Sequence, residues 1–510
     1  MCQHDIRDNE NIPSFLVREI QNVIQQLKNE KASGIDGIGN EILKLGSEIL
    51  SPIITELFNV ILSTKVIPEQ WSQNEITLIH KKGDKFDVSN YRPISMMSSI
   101  YSIFSRCIYN RLKSKLNNEQ PREQAGFRSG YSTTDHIHSM NILIEKSKEY
   151  DIPIYFCFID FTKAFDTLEH KAIWKALNDL GVPFGYIEIL SNIYKKTSGR
   201  VKTERLGRTF KQSRGVRQGD PLSPMLFSAT LEMIFRQLNW ENFGIKIDGE
   251  NLSNLRFADD IVLISHDPSE LQSMLNQLSS SCLKIGLQVN EEKTKLMTNK
   301  LTSNISIYGN NIEYVENFVY LGAIVSFTDL EKKNIQARVN ASWRNYWNIR
   351  DLLQSDLSQE TIKHLMDSSV LPCSTYGAQC WSGNQESWQK LATNQRRMER
   401  NILNLHLQQR IRNSEIRSRT NIIDVIQQSR KLKWDWAGHI QRINDNRWTV
   451  KLTNWIPYNY RRRPGRPFKR WRTDLKNFDR NWCQTANDRN RWKQMREAFE
   501  IVFLFVNLLD

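Results

Sequence analysis

The stretch LRFADDIVLISH, residues 255–266, places two adjacent acids, Asp259 and Asp260, inside an apolar run of β-strand character. Its apolar and β-branched residues predict a hairpin with the acids at the tight connection. The two carboxylates repel each other, and a buried charge is costly unless it is paired or binds a cation. The stretch therefore predicts either a solvated turn or part of a cation site.

A third acid, Asp160, follows the aromatic and β-branched run IYFCFI, residues 154–159. If this strand and the 255–266 hairpin are neighbours in one sheet, the three carboxylates converge on one point. Oxygen-only ligand sets suit Mg²⁺, which proteins usually bind through one or two carboxylates plus substrate phosphates. Two such ions can activate an attacking 3′-hydroxyl and stabilise a leaving pyrophosphate. A metal site would explain why these acids lack basic partners.

Charge is distributed unevenly along the chain. The 510 residues contain 70 Lys and Arg against 56 Asp and Glu, a net charge of +14. Residues 396–496 hold 26 of the basic groups and 8 of the acidic ones, so the rest of the chain holds 44 basic and 48 acidic groups. The excess of basic over acidic residues thus lies in the C-terminal fifth, and it predicts contact with a polyphosphate.

Composition excludes several other classes of protein. Charged residues make up 25% and apolar residues 39%, which is typical of a globular rather than a disordered chain. Seven scattered cysteines without a CxxC pair predict neither a disulfide framework nor a zinc ribbon. No signal peptide is recognisable, and the longest apolar run, residues 501–509, is far short of the roughly 20 residues that cross a bilayer. We expect an intracellular protein without membrane contact.

Several segments, taken in order, resemble the finger and palm motifs of reverse transcriptases, most closely those of non-LTR (LINE-type) retrotransposons. The segments are NYRPISM (90–96), FIDFTKAFD (158–166), RGVRQGDPLSPMLF (214–227) and FADD (257–260). The resemblance covers about residues 30–330. Two C-terminal segments, WAGHIQRINDNRW (436–448) and RRRPGRPFKRWRTDL (461–475), resemble the RTE-like branch of that group with lower specificity.

The resemblance implies an α+β fold of the right-hand polymerase type, with fingers, a palm built on an antiparallel sheet, a helical thumb and a small basic C-terminal domain. We expect the following divisions: 1–75, N-terminal helical extension; 76–157, fingers; 158–329, palm with the catalytic site; 330–405, helical thumb; 406–497, basic Trp- and Arg-rich nucleic-acid-binding region; 498–510, apolar tail.

The family also implies an activity, RNA-directed DNA polymerisation. Such an enzyme extends a primer 3′-hydroxyl with dNTPs on an RNA template, uses two Mg²⁺ ions, and contacts a DNA primer or target. Relatives usually carry an endonuclease before the polymerase, and nothing before Lys31 resembles one. We therefore expect endonuclease activity to be absent from this chain, as in a truncated copy, a fragment or a shortened gene model. The expected location is the nucleus, with a cytoplasmic phase.

Roles transfer residue by residue onto matching positions. Asp160 and Asp259 resemble the direct Mg²⁺ ligands, and Asp260 resembles the third acid of the catalytic site. Residues that resemble the dNTP-binding set are Lys81, Arg92, Phe165, Gln218, Gly219 and Lys293, with Phe165 as the aromatic gate against a 2′-hydroxyl and Lys293 as a general acid. Residues that resemble the primer grip are Tyr320, Leu321 and Gly322. Three alternatives stay open: Lys82 in place of Lys81, Lys295 in place of Lys293, and Phe165 as an ordinary core residue.

The segment NYRRRPGRPFKRWR, residues 459–472, predicts nucleic-acid binding. Its prolines stiffen an extended backbone along which basic side chains can follow phosphates, and Trp471 offers a stacking face for bases. The predicted contacts are Arg461, Arg462, Arg463, Arg466, Lys469 and Arg470. A nuclear-localisation signal is an alternative interpretation of the same charges. In the same region, Trp434, Trp436, Trp448 and Trp455 are expected in the core of a small domain.

Two other functions remain open from the sequence. A catalytically silent nucleic-acid-binding relic would keep the fold without turnover, whereas the intact Asp160, Asp259, Asp260, Phe165 and Gln218 favour an enzyme. A group II intron-type maturase shares the polymerase motifs but acts in RNA splicing. The basic, Trp-rich C-terminal region favours the retrotransposon interpretation over the maturase.

Overall fold

The structure is a computed structural model that describes residues 12–462, 464–465 and 468–501. Its α-helices run in chain order as α1 (Val17–Gln25), α2 (Asn40–Leu45), α3 (Ser47–Thr64), α4 (Ser99–Asn118), α5 (Thr133–Tyr150), α6 (Ala164–Thr167), α7 (His170–Asp179), α8 (Phe184–Lys195), α9 (Ser223–Phe235), α10 (Pro268–Leu283), α11 (Leu330–Asn348), α12 (Arg350–Leu353), α13 (Gln359–Leu365), α14 (Leu371–Thr375), α15 (Gln385–Ile402), α16 (Asn413–Thr420), α17 (Val425–Arg442), α18 (Trp448–Asn454), α19 (Thr473–Phe478), α20 (Trp482–Thr485) and α21 (Arg489–Ile501). None of the helices in these described ranges combines the length and hydropathy that a bilayer span requires.

The strands are short, and all of those in the described residues lie between residues 73 and 325. They are β1 (Gln73–His80), β2 (Tyr91–Met96), β3 (Tyr155–Ile159), β4 (Ser198–Lys202), β5 (Phe210–Lys211), β6 (Ile245–Ile247), β7 (Glu250–Leu252), β8 (Asn254–Phe257), β9 (Asp260–Ser265), β10 (Lys295–Thr298), β11 (Ser306–Ile307), β12 (Asn310–Asn311), β13 (Phe318–Tyr320) and β14 (Ala323–Val325). They form two four-stranded sheets and three two-stranded hairpins.

One four-stranded sheet has the strand order β10-β3-β9-β8 and is antiparallel throughout. In its register Ile159 of β3 lies opposite Ile261 of β9, and Phe257 of β8 lies opposite Asp260 of β9. The hairpin predicted from residues 255–266 is therefore confirmed, with Ala258 and Asp259 at its connection. This sheet is the antiparallel palm sheet of the predicted α+β polymerase fold, and we call it the palm sheet.

The second four-stranded sheet has the order β2-β1-β4-β5. Strands β1 and β2 form an antiparallel pair, and β4 runs parallel to β1 on its other side. Arg92 lies on β2, and Lys81 follows the end of β1, where its N–H donates to the carbonyl of Asn90 at 2.8 Å. The sheet therefore presents both predicted phosphate-binding residues from neighbouring strands.

Both faces of the palm sheet are buried, and each belongs to a different core. Side chains alternate along β3, so Cys157 and Ile159 pack in the core formed with the N-terminal helices and α7–α10, while Phe156 and Phe158 pack in the other. Strand β9 divides in the same way. This two-sided burial explains why β3 is a continuous apolar run rather than an alternating one.

The second core joins the palm sheet to the C-terminal region. Trp434, Trp448 and Trp455 are buried there together with Phe156 and Phe158 of β3, and Trp436 packs against the edge of the cluster. The expectation of buried tryptophans is confirmed, but their core is shared with the palm sheet and is not that of a separate small domain. Between these two regions, residues 330–405 are helical, as predicted for a thumb. The domain boundaries given above stay predictions.

Two tryptophans of the second core form a reciprocal pair. Trp434 and Trp492 stack with ring centroids 3.6 Å apart, and each indole N–H donates to the other residue's carbonyl, at 2.9 and 3.1 Å. Trp434 is completely buried. The pair fastens α21 to α17.

Replacing Trp434 with alanine should lower the free energy of unfolding by about 3–5 kcal/mol, because it leaves a large cavity and an unsatisfied carbonyl. Urea denaturation followed by circular dichroism measures the change. Trp347→Ala is the matched control, since that ring is 51% exposed and its loss should cost less than about 0.5 kcal/mol. Equal effects of the two substitutions would contradict the packing described here.

Candidate active site

The palm sheet brings the three predicted acids to one end. Asp160 directly follows β3, and its neighbour Ile159 lies opposite Ile261 of β9. Asp259 lies in the connection between β8 and β9, and Asp260 is the first residue of β9. Asp160 is held in place by its backbone, because its carbonyl accepts from Asn290 N–H at 2.8 Å. The strand register therefore places the three acids at the same end of the palm sheet.

The acids influence one another electrostatically. Burial, and then the negative charge of Asp160, raises the pKa of Asp259. Loss of hydration, followed by repulsion from Asp259 and Asp160, raises the pKa of Asp260 to about 6. One carboxylate oxygen of Asp160, Oδ2, is buried without a hydrogen-bond partner among the described residues. Asp259 and Asp260 are therefore harder to ionise than free aspartates.

The donor set fits a hard divalent cation whose coordination is completed from outside the protein. Within the described ranges, no three His, Cys, Asp or Glu side chains lie close enough to hold a metal ion unaided. Mg²⁺ commonly retains water and uses only one or two carboxylates together with substrate phosphates. Carboxylate oxygens, one of them buried without a hydrogen bond, are the ligands that such an ion takes.

Lys293 is the lysine that approaches the acids. Its Nζ lies 3.6 Å from Oδ2 of Asp160, while the side chain stays 69% exposed. A turn places it there, since the Lys293 N–H donates to Oδ1 of Asn290 at 3.0 Å. The alternative, Lys295, donates instead to Glu313 at 2.7 Å. The structure favours Lys293 over Lys295 for a role at this site.

Two basic residues at the second sheet act electrostatically on Asp259. The positive charges of Arg92 and Lys81 each oppose the rise in the pKa of Asp259. Lys81 also acts on Asp166, whose pKa is raised by burial and lowered again by its hydrogen bond to Gln218 and by nearby lysines. The phosphate-binding roles of Lys81 and Arg92 stay predictions, and Lys82 stays the alternative to Lys81.

The Gln218–Gly219 segment is docked between fingers and palm. The carbonyl of Gln218 accepts from Ser95 N–H of β2 at 2.7 Å, and its amide Nε2 donates to Asp166 Oδ1 at 2.7 Å. Gly219 has φ +115°, and a Cβ there would lie 2.9 Å from the carbonyl oxygen of Ser95. Only glycine fits this close approach. Asp166 was not singled out from the sequence, although its place in FIDFTKAFD could have drawn attention to it.

Phe165 is both supported by the core and partly accessible. Its ring stacks on Phe227 of α9 at a centroid distance of 4.6 Å and meets Phe127 edge-on at 6.4 Å. It is half-buried against the first core. The gate and core interpretations are therefore compatible, because a gate requires a ring that cannot swing away.

The residues predicted as the primer grip form the β13–β14 turn, with positive φ at Leu321 and Gly322. Two side chains fix its tip: the Tyr376 hydroxyl donates to the Leu321 carbonyl at 2.7 Å, and Arg338 donates to the Gly322 carbonyl at 2.9 Å. Tyr320 is buried, with its hydroxyl 3.2 Å from Nδ1 of His136. Its ring therefore anchors the turn, and only the tip is open to a bound strand.

The basic segment differs most from its prediction. Arg463 and Arg466 lie outside the described residues. Arg462 and Arg470 form ion pairs with the buried Glu149, and Lys469 pairs with Asp474 at 2.8 Å. These three charges are thus at least partly neutralised within the protein, whereas Arg461 is exposed.

The stacking face predicted at Trp471 is wrong. The ring is 2% exposed, lies in the second core, and donates its N–H to the Gln379 carbonyl at 2.7 Å. It also meets His138 edge-on at 4.6 Å. The local sequence, rich in arginine and proline, gave no sign that this ring closes over the helix α5.

Comparison with known proteins agrees with this geometry. A family model described as "Reverse transcriptase (RNA-dependent DNA polymerase)" matches residues 79–325. A transposon-derived protein of Caenorhabditis elegans is 32% identical over 268 residues, which cover 49% of this chain and 96% of that protein. The chain therefore belongs to the reverse transcriptase family, in the group found in non-LTR retrotransposons.

Two retrotransposon proteins show how much of a longer relative the chain represents. The Pol polyprotein of the element R2 from Nasonia vitripennis is 28% identical, over 54% of this chain and 27% of that protein. The RNA-directed DNA polymerase of the mobile element jockey from Drosophila melanogaster is 26% identical, over 72% of this chain and 42% of that protein. The chain spans less than half the length of either.

The acidic cluster should make the metal-free protein less stable as pH rises. The pKa of Asp260 is about 6 when folded and about 3.9 in an unfolded chain. The folded state therefore binds the extra proton between pH 4 and 6, and stability is lost across that window. In EDTA at pH 7, Asp260→Asn should be more stable than the parent by about 1 kcal/mol, a value discounted for solvent exposure, and should match it near pH 4.

Urea denaturation at pH 4, 5.5 and 7 measures this difference. Asp179→Asn, an exposed acid on α7, is the control and should show no pH-dependent change relative to the parent. Added Mg²⁺ should stabilise the parent at pH 7 more than Asp260→Asn. An Asp260→Asn variant that is less stable than the parent at every pH would contradict the repulsion.

Proposed function

We propose that this chain is an RNA-directed DNA polymerase that extends a primer 3′-hydroxyl with dNTPs on an RNA template. The observation that supports it is that Asp160, Asp259 and Asp260 lie at one end of the palm sheet, where the positive charges of Lys81 and Arg92 act on Asp259. Acids alone would repel a triphosphate, and bases alone would not bind a metal. Their juxtaposition suits a metal-bound nucleoside triphosphate.

In this proposal Asp160 and Asp259 bind two Mg²⁺ ions, with Asp260 beside them. Such ions, when bound, lower the pKa of the attacking hydroxyl and stabilise charge on the leaving pyrophosphate. Lys81 and Arg92 bind the triphosphate, Lys as a point charge and Arg through a bidentate contact. Lys293, exposed and 3.6 Å from Asp160, is placed to give a proton to the pyrophosphate.

Selection among nucleotides is assigned to two further residues. Gln218, fixed by Ser95 and Asp166, contacts the incoming nucleotide next to the close backbone approach at Gly219. Phe165, backed by Phe227, occupies the space that a ribose 2′-hydroxyl would need. The product would therefore be DNA.

The proposed partners outside the active site are nucleic acids. We place a primer strand along the exposed tip at Leu321 and Gly322, and a phosphate backbone near Arg461. We also propose a nuclear location with a cytoplasmic phase, which microscopy of the tagged chain would test.

Replacing Asp259 with alanine should reduce primer extension on poly(rA)/oligo(dT) with Mg²⁺ by about a thousandfold, because several kcal/mol of metal stabilisation are lost. Asp179→Ala, which removes an exposed acid on α7, should leave extension unchanged. Incorporation that survives Asp259→Ala would show that the site lies elsewhere. A parent protein without incorporation would instead indicate a silent relic.

Replacing Phe165 with alanine should admit ribonucleotides. Removal of the ring opens space for a 2′-hydroxyl, so the preference for dNTPs over rNTPs should fall by about 10- to 100-fold. Steady-state incorporation of dATP and ATP measures the ratio. Phe184→Ala, at a ring that is 48% exposed, is the control. An unchanged ratio in Phe165→Ala would remove the gate assignment.

Replacing Arg461 with glutamine should weaken RNA binding and lower the slope of log K against log salt by about 0.7–0.9, the value for one lost phosphate contact. Arg470→Gln is the matched control: Arg470 already pairs with Glu149, so its loss should reduce stability more than the salt slope. Filter binding at several salt concentrations measures both. If neither slope changes, the segment makes no phosphate contact through these residues.

A further inference from the structure

Two buried charged residues flank the Gln218–Gly219 segment and have no role in the site described so far. Arg217 and Asp220 are each only 3% exposed. A buried charge is costly unless hydrogen bonds and an opposite charge compensate it. The contacts of the two residues show which parts of the backbone they hold in place.

Asp220 is held by three donors. Its carboxylate accepts from the Tyr101 hydroxyl at 2.5 Å, from the Ser105 hydroxyl, and from Leu222 N–H at 3.0 Å. Tyr101 and Ser105 both belong to α4. Burial, followed by the charge of Asp220, raises the pKa of the Tyr101 hydroxyl well above its ordinary value, so it remains a donor. Asp220 therefore ties the end of the segment to the rigid helix α4.

Arg217 secures the other end. Its guanidinium donates to the Trp71 carbonyl at 2.9 Å and to the Thr197 hydroxyl at 2.7 Å. It also lies over two aromatic rings, with its Cζ 5.1 Å from the centroid of Tyr101 and 5.4 Å from that of Tyr194. Tyr101 thus contacts both charged side chains.

The two anchors leave only Gln218 and Gly219 between them. Between these two residues, the Gln218 carbonyl accepts a hydrogen bond from Ser95 N–H of β2, and the Gln218 side-chain amide donates one to Asp166. With both flanks fixed, the Gln218 side chain has little freedom to leave Asp166. A displacement of about 1 Å at a substrate-positioning group can cost about a hundredfold in rate.

We propose that Asp220 is a positioning residue, which acts with Arg217, Tyr101 and Ser105 to fix the Gln218–Gly219 segment for the incoming nucleotide. This inference rests on the proposed function, because that function defines the nucleotide. Asp220 itself does not touch the nucleotide. Its effect should therefore appear in nucleotide binding rather than in binding of the primer and template.

The experiment uses the full chain with the substitution Asp220→Asn, which keeps the side-chain volume but removes the negative charge to which Tyr101 and Ser105 donate. The KM for dATP should rise about tenfold, kcat should change less than about threefold, and the Kd for poly(rA)/oligo(dT) should stay constant. Amide hydrogen exchange in the peptide 214–222 should become faster. Tyr101→Phe, which removes one donor only, should show the same pattern with a smaller change.

Asp424→Asn is the matched control. Asp424 is also a buried acid, 4% exposed and paired with Arg396 and Arg417, and it caps α17. Its replacement should lower thermal stability without changing the KM for dATP or exchange in 214–222.

Each outcome decides the proposal. Unchanged exchange in 214–222 for Asp220→Asn overturns the anchor, whether or not the protein polymerises. Faster exchange with an unchanged KM in an active enzyme overturns the positioning role. If the parent chain adds no nucleotide, the proposed function fails, and the exchange measurement still tests the anchor.

Discussion

Repulsion among three carboxylates is the constraint on which the rest of this structure depends. Asp160, Asp259 and Asp260 lie where the palm sheet ends; burial and then the charge of Asp160 raise the pKa of Asp259, and burial, Asp259 and Asp160 raise that of Asp260. Stability must therefore come from elsewhere, and the two cores that cover both faces of the sheet supply it. The C-terminal tryptophans belong to this support, since they pack behind the strand that leads to Asp160. Without a bound cation, the clustered acids lower the stability of the folded protein, and such a cost is typical of functional sites.

Residues predicted to contact the substrate lie on backbone segments that hydrogen bonds hold in place. Lys293 reaches Asp160 from a turn capped by Asn290, and Gln218 is fixed by Ser95 and Asp166. The same arrangement recurs at the β13–β14 turn, whose tip carbonyls are bound by Tyr376 and Arg338. These contacts limit the motion of the residues that are proposed to bind substrate. The site is therefore preorganised before the nucleotide binds.

Sequence alone could predict features that depend on local pattern. The β8–β9 hairpin and the buried strand before Asp160 follow from short stretches, and the structure agrees with both. The basic segment shows the opposite case. Arg470 pairs with Glu149, 321 residues away in the chain, and Trp471 closes over the same helix. No local signal identifies such a partner, so charges that looked free turned out to be paired in the fold.

The most direct test of the account is a structure of the chain with an RNA template, a dideoxy-terminated DNA primer, dNTP and Mg²⁺. We expect the primer end and the triphosphate to meet at the end of the palm sheet, with metal ions bound by Asp160 and Asp259 and the triphosphate in contact with Lys81 and Arg92. A nucleotide bound elsewhere, with Asp160 and the 259–260 turn remote from any metal, would contradict it.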